Sequence, residues 1–342
     1  MKKILIIYTG GTIGMTLDAV SGALVPFDFG RIYERIPELN RFECKIDFYT
    51  FHPLIDSSDM QPEKWVLIAK HIFKEYKNYS AFIILHGTDT MAYTASALSF
   101  MLENLEKPVI LTGSQLPLEA VRTDARNNLI TTVEIACEHA NDNNKLKEVC
   151  IFFDNELYRG NRTEKFTSSK FDAFKSANYP PLAEAGVQII YNDEMFLQWN
   201  KTLKFRVYEN LDNTIALLKI YPGIMQQQIE TVLSIPGLKG VVLETYGAGN
   251  APTNDAFVNA LQVAVERGTV IVNVSQCSGG TVDLGKYESG FQLQKIGVIS
   301  GGDMTTESAL TKLMYLFGKG LRKSQVEKFM QKNLRGELTD EG

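Results

Sequence analysis

Ile4-Leu5-Ile6-Ile7-Tyr8-Thr9-Gly10-Gly11-Thr12-Ile13-Gly14 opens the chain with an apolar run that breaks abruptly into glycines. Five consecutive apolar residues, rich in isoleucine and bounded by a glycine turn, read as a strand of a parallel sheet buried on both faces. The same arrangement returns at Ala81-Phe82-Ile83-Ile84-Leu85, followed by His86-Gly87-Thr88-Asp89-Thr90. Two threonine hydroxyls, Thr12 and Thr88, are therefore expected just beyond the carboxyl ends of strands in one sheet. In open α/β sheets that edge is where ligands bind, because strand ends and helix amino termini leave backbone N–H groups facing a crevice. A pair of hydroxyls placed there points to nucleophilic chemistry.

Working outward, strand-like and helix-like segments alternate. Cys44 to Phe51, Pro108 to Thr112 and Val149 to Phe153 read as strands, and Pro62 to Lys77, Thr90 to Leu102 and Thr123 to Ala140 as helices, although Asn127 and Asn128 weaken the last pattern. A βαβα order throughout predicts right-handed crossovers and a parallel sheet. From Gln188 to Asn213 the periodicity fades, and this stretch is expected to link two domains, 1–187 and 214–342. A second α/β unit then starts with strands at Thr214 to Ile220, Gly240 to Thr245 and Val270 to Val274. Its helices are expected over Asn254 to Arg267 and around Thr306 to Gly318 and Gln325 to Asn333.

A chain of 342 residues, 44% hydrophobic and 22% charged, has the composition and length of two globular α/β domains. The formal net charge of −5 provides no basic field for nucleic acid or an anionic membrane. Met1-Lys2-Lys3 before the first apolar run looks like the start of an export signal, but the run is too short and ends in glycines, so no signal and no membrane span are expected. Cys44, Cys137, Cys150 and Cys277 show no paired spacing, and free thiols in a reducing cytoplasm are expected.

The chemistry narrows by exclusion. Thr9 stands where a dinucleotide fingerprint needs its first glycine, no acid closes the second strand, and no phosphate-loop lysine follows the glycines. Gly10 and Gly11 instead supply backbone amides that can approach an anion closely. Asp89 directly follows Thr88, so the two either serve a ligand together or, with Thr90, cap a helix. A threonine hydroxyl is a weak nucleophile until a base takes its proton. The histidines are only His52, His71, His86 and His139; His86 beside the site is as well explained as a hydrogen-bonded strand-end residue, and no metal spacing occurs. The base must be another residue.

Taken together, Thr9 to Gly14, His86 to Tyr93, Thr112 to Pro117, Tyr158 to Thr163 and Tyr246 to Pro252 resemble the bacterial cytoplasmic, type I L-asparaginases, and the resemblance runs from Lys3 to about Glu337. It implies a larger amino-terminal α/β domain, a smaller flavodoxin-like carboxy-terminal one, a cofactor-free and metal-free amidohydrolase acting on L-asparagine, and homodimers or homotetramers. Carried over by position, Thr12 matches the primary nucleophile, and Thr88, Asp89 and Lys165 a second triad. Substrate contacts fall on Gly11, Gly87 and Ser114 and on Asp56, Ser57 and Ser58, whose segment holds the α-carboxylate. The implied reaction is acyl transfer through a β-aspartyl ester, with backbone N–H groups near Gly11, Thr12, Gly87 or Thr88 holding the oxyanion. Lys165 acts as a base only when neutral, and the neighbouring Arg159 and Arg162 are expected to favour that form.

Two departures from the family pattern stand out. Thr16 to Val25 lacks the tyrosine that assists the nucleophile in many members, and Tyr287 in the second domain is either its replacement or a boundary ring. Glu244 and Glu164 stand where some members use an arginine and a threonine to bind an asparagine effector, and a carboxylate cannot replace a guanidinium that grips a carboxylate. Alternative readings are a glutaminase, the asparaginase-like subunit of a tRNA-dependent amidotransferase, or an asparagine sensor without catalysis. The amidotransferase subunit would be expected to bring an extra amino-terminal domain and a basic surface, neither of which is read here.

Overall fold

The computed structural model describes residues 2–17, 24–27, 32–141, 144–198 and 202–340. They form two compact units that divide between Glu209 and Asn210. In the first unit, Lys2–Tyr8 lies one strand in from the edge of an eight-stranded sheet, parallel to the edge strand Cys44–Thr50 on one side and to Ala81–Leu85 on the other. Val109–Thr112 and Val149–Phe153 continue the parallel run. Ile4 to Tyr8 and Ala81 to Leu85 are buried residue after residue, which is why they read as unbroken apolar runs. The register pairs Tyr8 with Leu85, so both chains leave the sheet at the same level, and the Thr9 N–H donates to Leu85 O at 3.0 Å. The fold thus brings the two threonine segments side by side.

The helices Pro62–Glu75, Met91–Met101 and Ala125–Glu138 cover this sheet. Pro62–Glu75 buries Trp65, Ile68, Ala69 and Ile72 on one face, whereas Met91–Met101 is buried nearly all round. Small residues make the latter possible: a β-carbon at Gly160 would stand 2.9 Å from Ala95 Cβ.

Three expectations are corrected. The sheet is not parallel throughout, because Glu156–Arg159 returns antiparallel to Val149–Phe153 and is extended by Ala183–Ala185 and Ile189–Tyr191. Asp154 and Asn155 both adopt positive φ, 45° and 74°, the backbone of a two-residue hairpin turn that Asp and Asn tolerate best after glycine. The stretch 188–213 is no bare linker: Ile189–Tyr191 forms the sheet edge and Arg206–Val207 pairs with Leu102–Glu103. Pairings of two or three residues leave no periodicity to read. Finally, Cys44 and Cys137 are joined in a disulfide across 93 residues of sequence, while Cys150 and Cys277 are free. Cys44 opens a strand, Cys137 lies at the end of helix Ala125–Glu138, and both belong to the same core cluster, so the packing makes a pair that spacing does not announce.

The second unit is a parallel sheet in the order Ile215–Lys219, Gly240–Thr245, Val270–Ser275 and Ile299–Ser300. Asn254 caps the helix Asp255–Glu266 by accepting from the Phe257 N–H at 3.0 Å, and Thr305 caps Thr306–Gly318 in the same way. The helices Gln226–Leu233 and Glu288–Lys295 were not anticipated from the polar sequences that form them.

Candidate active site

After Tyr8 the chain turns through Gly11, at φ 91° where a side chain is strained, into the short turn Thr12–Gly14. The buried Tyr8 hydroxyl donates to Gly11 O at 3.2 Å and Gly14 O at 3.0 Å, which holds the turn from beneath. Burial pushes that phenol well above its ordinary range, so it stays a donor. A β-carbon on Gly11 would stand 2.5 Å from Gly87 N, and one on Gly87 would collide with Ser57 Oγ. Gly11 meets the Gly87 backbone, which only glycine permits, whereas Gly87 packs against the Ser57 side chain. The contact brings Thr12, Thr88 and Ser57 to one place.

Thr88 lies at 2.8 Å from Lys165 Nζ, and the same ammonium group donates to Asp89 Oδ1 at 2.8 Å. The Lys165 side chain is 17% exposed and that of Asp89 64%, so the lysine is sheltered while the carboxylate still faces solvent. Lys165 sits on a two-residue strand, Glu164–Lys165, paired antiparallel with Phe174–Lys175. The Thr163 hydroxyl donates to Arg159 O at 2.7 Å and steadies the turn that leads into that strand. The arginines do not serve Lys165 as expected: Arg159 is buried in an ion pair with Glu148 at 2.6 Å, and Arg159 and Arg162 both lie over the Tyr179 ring. The charged partner of Lys165 is Asp89.

The capping alternative for Asp89 and Thr90 is not realised. Thr90 stands at the helix amino terminus without a side-chain cap bond, and its hydroxyl donates instead to Ser57 O at 2.7 Å. The three residues of the carboxylate segment differ in role. The Ser58 N–H and hydroxyl both bond to Asp56 Oδ1, at 2.9 and 2.8 Å, and these bonds hold the Asp56 carboxyl below its usual range. Among the described residues no partner takes the hydroxyl of the buried Ser57.

Ser114 Oγ donates to Leu116 O at 2.6 Å within its own loop. That loop adjoins the site, since a β-carbon at Gly113 would stand 3.6 Å from Thr88 Cγ2. Two residues that the sequence reading did not assign to the site hold it. Asp124 accepts from the Gln115 and Leu116 N–H groups at 2.9 and 3.1 Å, and Asn128 donates to Gly113 O at 3.0 Å while accepting from Asp154 N. A polar residue interrupting an apolar helix face was the available signal for Asn128. Tyr287 is 48% exposed and precedes the helix Glu288–Lys295 of the second unit. Residues 18–23 of the segment without a tyrosine lie outside the described residues. No cluster of His, Cys, Asp and Glu among the described residues could hold a metal ion.

Family models match both units: "Asparaginase, N-terminal" over residues 3–197 and "Glutaminase/Asparaginase C-terminal domain" over 214–330. The chain is 46% identical over 340 residues to L-asparaginase 1 of Escherichia coli K12, covering 99% of this chain and 98% of that protein. Its fold matches the crystal structure of L-asparaginase I from Vibrio cholerae with a TM-score of 0.90 and 43% identity, over 99% of both chains. A probable cytoplasmic L-asparaginase from Campylobacter jejuni matches with a TM-score of 0.81 and 25% identity, over 97% of this chain and all of that one. The chain belongs to the asparaginase/glutaminase family. Within it, this chain stands with the type I L-asparaginases.

Proposed function

We propose that the protein hydrolyses L-asparagine to L-aspartate and ammonia through a threonine acyl-enzyme. The observation that carries this reading is the lysine held on Thr88 and Asp89 beside the backbone contact of Gly11 and Gly87. The Thr12 oxygen attacks the carboxamide carbon, a new C–O bond forms, and the C–N bond breaks as the nitrogen takes a proton and leaves as ammonia. Water then cleaves the ester and restores Thr12. Thr88 and Lys165 move the proton, for which Lys165 must be neutral at that moment. Asp89, whose side chain is 64% exposed, is suited to the substrate's α-ammonium group, and Ser57 to its α-carboxylate. Ser114 contributes through the loop beside Thr88. No cofactor is required by these steps.

Ammonia release from the purified protein with L-asparagine, D-asparagine and L-glutamine tests the assignment. L-asparagine is expected to be turned over fastest, and release with glutamine alone would move the protein to the glutaminases. A homodimer or homotetramer is the proposed assembly, to be read by light scattering. No helix among the described residues is long and apolar enough to cross a membrane. The cytoplasm is the proposed compartment, with the Cys44–Cys137 bond weighing against it, since disulfides persist mainly where conditions are oxidising. Alkylation of thiols in intact cells before lysis decides between them.

A further inference from the structure

Behind the HGTDT turn lies a buried chain of polar groups that the reaction itself does not use. Trp65 Nε1 donates to Thr94 Oγ1 at 3.0 Å, Thr94 Oγ1 is 2.9 Å from His86 Nε2, and His86 Nδ1 is 2.6 Å from Gly87 O. Trp65, Thr94 and His86 are all buried. The direction of every proton in the chain is set by its ends. A carbonyl oxygen can only accept, so Nδ1 must carry the hydrogen, and the indole N–H can only donate, so Thr94 accepts from it. In a neutral imidazole Nε2 is then a lone pair, which takes the Thr94 hydroxyl proton. Burial drives His86 down to about 4, against the opposing bond to Gly87, and so favours the neutral ring.

We infer that His86 is a positioning residue for asparagine hydrolysis: locked as its Nδ1–H tautomer by Thr94 and Trp65, it grips the Gly87 carbonyl and so fixes the orientation of the Gly87–Thr88 peptide. The C=O and N–H of a trans peptide point in opposite directions. With the carbonyl held toward the buried histidine, the Thr88 N–H is turned away from it, and no acceptor takes that N–H among the described residues. The Thr88 hydroxyl follows from the same peptide and meets Lys165. A donor preset in this way costs no reorganisation when charge develops on a substrate oxygen. The tight packing at Gly87 serves the same end, since the residue has no side chain and would otherwise be the most freely rotating part of the turn.

The inference rests on the reading of Thr88 as part of the site, and its first test does not depend on activity. Long-range 1H–15N NMR of the wild-type protein, with the His86 signals assigned from the His86→Asn variant, is expected to show the neutral Nδ1–H form; the Nε2–H form would overturn the lock. In kinetics, His86→Leu is expected to lower kcat at least about tenfold with KM within about twofold, below the loss for removing an oxyanion donor outright. His86→Asn, whose amide can reach the Gly87 carbonyl, is expected to recover most of that loss. A His86→Leu enzyme with wild-type kcat, or a folded His86→Asn enzyme as slow as His86→Leu, would reduce His86 to a packing residue. Should Thr88→Val leave turnover intact while NMR finds the Nδ1–H form, the site reading fails and the lock stands.

Discussion

Gly11 and Gly87 press together so closely that a β-carbon on Gly11 would stand 2.5 Å from Gly87 N, and this contact joins the two threonine turns into one site. Gly87→Ala places a methyl group against Ser57 Oγ without straining the backbone, so the expected effect is displacement within the site. A shift of about 1 Å in a reacting constellation costs on the order of a hundredfold, so kcat/KM for asparagine should fall by about that much while circular dichroism stays unchanged. Unaltered kinetics would mean that the turns move independently.

Thr12 and Thr88 are expected to act as a unit. Thr12→Ala and Thr88→Val should each lose several orders of magnitude in turnover, as members of catalytic triads do, with little effect on the thermal transition. Ammonia release by a folded Thr12→Ala protein at the wild-type rate removes Thr12 from the mechanism.

Lys165 is held by Thr88 and Asp89 rather than by the core. Lys165→Met should therefore fold normally and lower kcat by at least about a hundredfold, the lower end of what proton transfer contributes. Binding of aspartate, followed by calorimetry, should survive. Near-normal turnover would leave the lysine with a structural role alone.

Steady-state kinetics with asparagine are expected to be hyperbolic. Glu244 is tied to Thr306 at 2.6 Å and to Lys219 at 3.1 Å, so it is committed within the second unit and offers no cation to an effector's carboxylate. By resemblance, Glu164 likewise puts a carboxylate where some other family members have a threonine. A sigmoidal rate curve that an inert asparagine analogue converts to a hyperbola would reveal an effector site built from other residues.

Stability should fall with acid in a way that His86 controls. Its folded value, about 4, lies below the unfolded 6.5, so the unfolded chain takes up the proton first. The stabilisation is therefore complete above pH 6.5 and is lost as pH falls toward 4. Denaturation midpoints should drop more steeply over that interval in the wild type than in His86→Asn, which does not titrate. Parallel pH profiles would place the loss elsewhere.

The sequence by itself determined the parallel strands and the two threonine turns. Ile4–Tyr8 and Ala81–Leu85 are unbroken apolar runs ending in glycine motifs, and everything needed to read them lies within a few residues. Tertiary structure decided the rest. Lys165 meets Thr88 across 77 positions because a two-residue strand pairs with Phe174–Lys175, a pairing too short to leave a pattern. The division of labour between Ser57 and Ser58 depends on which hydroxyl Asp56 captures, and the Cys44–Cys137 bond on a strand start and a helix end meeting in one core. Asn128 looks like a flaw in its helix until the loop it holds is seen. Periodicity and turn chemistry are local properties of the chain, whereas hydrogen-bond partners between distant loops are set by register and packing, which only the folded molecule supplies.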